Sequence, residues 1–209
     1  MTTVPDTSEP RPLGLRERNR RLTAAHIQQA TLSLLERRGW EATTVAEIAA
    51  EAGISARTFF RYFDSKEHAA FPAQRRVWLA ASTFVPASDR PDAIADEVTA
   101  LLRSAMISAD DPDELELHRR MARLFGEAPR LHVVAATQDA ALVLALHDRL
   151  TSALPDADPV VLRGIVESAM GLWRTAWWHW GTRLHGNDGA SPADSFAAAV
   201  RAIQRVRSL

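Results

Sequence analysis

Along most of this chain apolar residues return every three or four positions, and no convincing alternation with period two appears. That is the mark of amphipathic helices packed through one face, so the chain is expected to be all-α. From about Leu22 to Arg38, Ile27, Thr31, Leu34 and Leu35 share one face; Gly39 follows as a stop, after Arg37 and Arg38 near the negative helix end. Val45, Ile48, Ala49 and Ala52 give a second, short apolar face, and Phe59 and Phe63 a third. A fourth helix is expected from Ser65 toward Thr83 with Phe71, Trp78 and Leu79 along it, kinked or broken at Pro72.

After Pro86 the helical pattern continues over Pro91 to Ser108, then from the acidic start at Asp110–Glu114 to Phe125. A long helix is expected from about Arg130 to Leu154, its Ala- and Leu-rich middle apolar on most sides, as in a central buried helix. Another runs from Val160 to Leu184. A flexible turn from Gly186 to Pro192 leads to a last helix with Phe196, Ala199, Val200, Ile203 and Val206 on one stripe.

The stretch from Thr43 to Lys66 organises the rest. Thr44-Val-Ala-Glu47 has the form of a capping box, in which each end residue satisfies a free N–H of the other's turn. Gly53 supplies the freedom for a tight turn, Ile54 plugs it, and Ser55 can cap the next helix. Two short helices around a glycine turn, the second carrying Arg57, Thr58, Arg61 and Tyr62, form a helix-turn-helix, whose second helix enters the major groove. The bland alternative is a helical hairpin within a larger bundle.

Charge adds direction to this picture. The net charge of −1 hides ten basic against six acidic residues from Arg11 to Lys66, and fifteen against eighteen from Glu67 onward. A basic first third on a mildly acidic body suits a protein that presents one end to phosphates. Arg16, Arg18, Arg20 and Arg21 read as a basic arm or as a solvated helix start. Residues 1–14, with three prolines, are expected to be a disordered leader. At 209 residues there is material for one sizeable core or two small ones, no membrane-length apolar run and no cysteine. A cytoplasmic protein is expected.

Catalytic and metal chemistry find little support. The seven histidines form no close metal-ligand pair, and phosphate-binding glycine loops, Gly-x-Ser-x-Gly and thiol nucleophiles are missing. No catalytic residue, metal or cofactor is therefore assigned. Trp173, Trp177 and Trp180 share a face with Leu184, which suits core packing, a subunit interface or a cavity wall.

From Ala42 to Glu67 the chain resembles the DNA-binding domain of the TetR family of bacterial transcription regulators, nearly position by position. The resemblance implies about nine helices: a three-helix helix-turn-helix DNA-binding domain over residues 15–67, and a larger helical-bundle ligand-binding and dimerisation domain over 68–209. It implies a homodimer through the last two helices and a palindromic double-stranded DNA operator. It also implies a small-molecule effector that releases the DNA. Carried onto this sequence, Thr44, Tyr62 and Lys66 would contact phosphates. Arg57 and Thr58 would face the groove with Ser55 and Ala56 beside it. Phe60 stands where the family often has tyrosine, so a hydroxyl contact is lost.

In the body Met106, Met121, Phe125, Trp173 and Trp177 lie on helices that would surround a mainly apolar pocket, with His118 or Arg174 as polar anchor. The expected effector is hydrophobic or amphipathic, acyl or aromatic. Apolar stripes around Ile165, Val166, Phe196, Val200 and Ile203 are expected at the subunit interface. The rival reading is a helical enzyme or small-molecule-binding protein whose helix-turn-helix is only structural.

Overall fold

A computed structural model describes residues 15–107, 112–183 and 191–207 and shows ten helices among them. The leader, the helix start at Asp110, Leu184 and the turn from Gly186 lie outside the described residues. The first helix, α1 (Leu15–Arg38), is longer than expected: the arginines from Arg16 to Arg21 sit on its exposed opening turns. Leucine, arginine and glutamate are good helix formers, and no breaker stands between them and Gly39. Gly39, at φ 75, ends α1 with its N–H on the Leu35 carbonyl.

Two seven-residue helices follow, α2 (Val45–Glu51) and α3 (Ala56–Tyr62), turning at Gly53 with φ 63. Helices this short do not persist alone, so packing must hold them. Ile48, Ala49, Ala52, Phe59 and Phe63 bury against Ile27, Ala30 and Leu34 of α1, and the larger of these contribute about 1.5–3 kcal/mol each. The expected fourth helix is divided into α4 (Lys66–Ala70) and α5 (Pro72–Thr83). Phe71 between them adopts φ −116, ψ 74, outside the helical region, because the residue before a proline is pushed out of it.

The body comprises α5, α6 (Pro91–Ile107), α7 (Pro112–Glu127), α8 (Pro129–Ala153), α9 (Pro159–Arg183) and α10 (Pro192–Arg207). Each of these six begins on proline, where the missing N–H would have had no intrahelical partner. Its core gathers Val77, Ile94, Val98, Leu102, Met106, Leu146, Val166, Met170, Trp173 and Phe196.

The expectation that α8 is buried on most sides does not hold. Leu131, Leu142, Val143, Leu146 and Leu150 point inward, but Val133 and Leu144 are more than half exposed. Ala135, Ala136, Ala140, Ala141 and Ala145 made the middle of the helix look apolar on most sides without requiring burial. Val166 and Phe196, expected near a subunit interface, are fully enclosed within the protomer's own core.

A further cluster joins head to body. Leu32, Leu35 and Trp40 pack with Ala70 and Phe71 and with Leu117, Met121 and Leu124 of α7. Arg120 of α7 reinforces this seam, donating to Glu36 and to the Ser33 hydroxyl of α1. The Arg120 guanidinium holds the Glu36 carboxyl below its ordinary range.

Candidate functional site

The head presents α3 outward because Phe59 and Phe63 anchor its opposite face. Arg57, Phe60 and Arg61 are exposed on it, and Arg57 forms no hydrogen bond or ion pair among the described residues. Arg61 lies over the Tyr62 ring, 5.3 Å from its centre; sequence reading placed it on the helix without giving it a contact. Tyr62 is half-buried, its hydroxyl engaged by Thr23 and Arg61, which together pull it below the usual phenol range.

The hydroxyls at the helix starts are already occupied. Thr44 Oγ1 accepts the Glu47 N–H at 3.3 Å and donates to Glu47 Oε2 at 2.9 Å, while Glu47 takes the Thr44 N–H at 2.9 Å. That backbone bond, then the hydroxyl, holds the Glu47 carboxyl below its ordinary range. Ser55 Oγ accepts the Thr58 N–H at 3.1 Å and lies 2.9 Å from the Thr58 hydroxyl.

Lys66 is less available than expected. Its ammonium donates to the carbonyls of Trp40 at 3.0 Å and Thr43 at 2.9 Å, and lies 4.5 Å from the centre of the Trp40 ring. It therefore stitches α4 to the turn between α1 and α2. No periodicity could have shown this, because the acceptors are backbone atoms more than twenty residues away.

The second feature is a cavity of about 670 Å³ between the α4–α5 junction, α7, α8 and α9. His118, Met121, Phe125, Trp173, Arg174 and Trp177 all line it. Met106 does not: it is fully buried in the body core, since helical spacing told which way it points but not which neighbour it meets. Trp180, one of the tryptophans read as a possible cavity wall, lines it with His132, and Phe71, Gln74 and Asp139 line it without having been anticipated. The acidic Asp139 on an Ala-rich helix was the one available signal.

Aromatic rings set the cavity's shape. His118 and Trp177 lie nearly parallel at 5.0 Å, and Trp177 meets Trp173 and Trp180 edge-on at 5.7 and 5.6 Å. Trp173 and Trp180 are buried, whereas Trp178 is 68% exposed. Phe125 meets Phe71 edge-on at 5.9 Å, and Phe71 lies 6.3 Å from Trp40. Ring contact thus runs from the cavity wall to the turn that opens the helix-turn-helix.

The buried polar groups have shifted proton affinities. Burial pushes His118 down to about 4, Arg76 nearby adds to this, and the Glu114 carbonyl opposes it. Burial pushes the Asp139 carboxyl up, against the pull of the Gln74 amide, Arg174 and the Trp173 indole. Among the described residues no group of three or more His, Cys, Asp or Glu is placed to hold a metal, and no helix is long and apolar enough to cross a membrane.

Residues 27–68 match the family model described as bacterial regulatory proteins, tetR family. The chain is 35% identical over 135 residues to the HTH-type transcriptional regulator TcmR of Streptomyces glaucescens, a match spanning 62% of this chain and 60% of that protein's length. Among solved structures, a putative TetR-family transcriptional regulator from Rhodococcus sp. is 19% identical, covering 88% of this chain and 98% of that one with a TM-score of 0.46. A putative transcriptional regulator from Pseudomonas aeruginosa PAO1 is 20% identical, covering 94% and 93%, with a TM-score of 0.38. The helix-turn-helix seen in α2 and α3 lies within residues 27–68, the part of the chain that matches the tetR family of bacterial regulatory proteins.

Proposed function

We propose that this protein is a cytoplasmic, homodimeric repressor that binds a palindromic operator through α3 and leaves it when a hydrophobic or amphipathic molecule enters the cavity. The observation that carries this reading is the ring contact from Phe125, which lines the cavity together with Trp177, through Phe71 to Trp40. A ligand that spreads the cavity pushes on the Phe71–Pro72 break, and α4 passes the displacement to the head. Release follows if the ligand binds the spread conformation more tightly than the one that fits DNA. The similarity to a transcriptional regulator supports the same reading.

On DNA, Arg57 reads a base edge, guanine being its best bidentate partner, with Thr58 and Ser55 beside it. Phe60 offers an apolar surface suited to a thymine methyl. Tyr62, the start of α2 at Thr44 and the remaining donor of Lys66 serve the phosphates, with the arginines opening α1 alongside. Two copies meet through α9 and α10, where Val161, Trp178 and Ile203 are exposed and Ile165 and Val200 half-buried.

The test is titration of fluorescent duplexes at several salt concentrations. Affinity is expected to fall steeply with salt, and Arg57→Ala to lose about 1–3 kcal/mol on the preferred operator but little on random DNA. Equal losses on both would move Arg57 to a phosphate contact. A flat salt dependence would favour a binding protein whose helix-turn-helix is only structural.

A further inference from the structure

The cavity's walls are apolar, and its two unpartnered buried polar atoms are both acceptors. His118 is 7% exposed, with Nδ1 2.7 Å from the Glu114 carbonyl oxygen. A carbonyl can only accept, so the ring proton sits on Nδ1. Burial keeps the ring neutral, so Nε2 holds a bare lone pair, and it has no hydrogen-bond partner.

Gln74 is 9% exposed and tells the same story. Its amide nitrogen donates to Asp139 Oδ1 at 2.7 Å and to the Ala135 carbonyl at 3.3 Å. The reverse orientation would set its oxygen against a carboxylate and a carbonyl, so this one is forced. Gln74 Oε1 is left without a donor.

An enclosed acceptor with no donor costs about 1–3 kcal/mol, so two lining one cavity ask for a ligand that donates. Two guanidiniums stand near these acceptors: Arg76 is held by the Ala105 carbonyl and by Glu114 at 2.9 Å, and Arg174, which lines the cavity, already acts on the Asp139 carboxylate. The walls add the second requirement. His118 and Trp177 are stacked, and Trp173 and Trp180 stand edge-on to Trp177, so flat faces and ring edges line the space. Both acceptors are covered in this shape, so a ligand that reaches them must displace part of the wall.

We propose that the cavity takes a planar aromatic molecule carrying at least one free hydroxyl, which donates to His118 Nε2, with Gln74 Oε1 as the second acceptor. The same ring is disfavoured when its donor is methylated or replaced by a carboxylate. This rests on reading the cavity as the effector site, and it narrows that site's ligand from hydrophobic to hydroxyl-bearing aromatic.

Calorimetry on the full chain with three naphthalenes tests it. 2,6-Dihydroxynaphthalene is expected to bind about tenfold or more tightly than 2,6-dimethoxynaphthalene or 2-naphthoate. His118→Phe keeps a ring against Trp177 and removes the main acceptor, so it should abolish most of the dihydroxy compound's advantage and leave the dimethoxy affinity unchanged. A readout without substitution is the ¹⁵N shift of His118 Nε2, which should move with the dihydroxy compound and not with the dimethoxy one. Equal affinities, preference for naphthoate, or no binding of any of the three would overturn the proposal. Operator release is scored separately. The predicted preference without any effect on the DNA complex overturns the regulatory reading and leaves the ligand chemistry; release by naphthoate or the dimethoxy compound alone does the reverse.

Discussion

His118 shows how much one side chain can reveal about a cavity. An unfolded chain protonates it near 6.5, whereas the fold keeps it neutral down to about 4. Between those values the unfolded state binds more protons, so the stability tied to this burial is complete above pH 6.5 and is lost as pH falls toward about 4. Asp139 works against it: its raised proton affinity means that the folded state gains protons first as pH falls. Arg76, Glu114 and Arg174 are the other charged groups around the pair, and Arg76 and Glu114 are paired with each other. The comparison that isolates His118 is urea unfolding at about pH 7 and about pH 5, for the wild type and His118→Phe. The wild type should lose about 2 kcal/mol more than the variant on acidification. Equal losses would mean that the ring is solvated in the folded protein.

At the scale of elements, three of the head's helices, α2, α3 and α4, are too short to stand alone, and the junctions between them carry the design. Lys66 is the clearest case, because its ammonium ties α4 to the carbonyls of Trp40 and Thr43. Lys66→Met keeps the stem over Trp40 and removes both bonds, so a loss of about 1–3 kcal/mol is expected in urea unfolding. Unchanged stability would assign the charge to DNA alone. The division at Phe71 belongs to the same scale. The sequence announced a disturbance at Pro72, and the result is a full break that places Phe71 between the cavity and Trp40.

Caps and glycines were legible because their signal is local. Thr44 with Glu47, Ser55, Ser65, Gly39 and Gly53 each act within four residues of themselves. The partners of Gln74 and Lys66 were not legible, since they stand 61 and 65 residues away for Gln74 and 26 and 23 for Lys66. Met106, Val166 and Phe196 fail differently. Periodicity marked them as inward-facing, and all three are, but inward meant the protomer's own core, not the cavity or a partner.

For the whole molecule, the reading requires two heads on one operator. A single reader of this size binds weakly, and linking two half-sites raises affinity without new contacts. The exposed apolar residues on the last two helices carry the test. Val161→Glu combined with Ile203→Glu changes positions that are 42% and 49% exposed, so the fold should survive with its helical content intact. Sedimentation is expected to show a monomer that binds operator weakly. A dimer that persists would place the interface on another face.

The measurement that reaches the central claim most directly is selection of duplexes from a random-sequence library by the full chain. The recovered sites should share an inverted repeat with half-sites about one helical turn apart, and their affinity should fall steeply as salt rises. No enrichment over the starting library, or enriched sites without two-fold symmetry, would contradict the account of a dimeric operator-binding regulator.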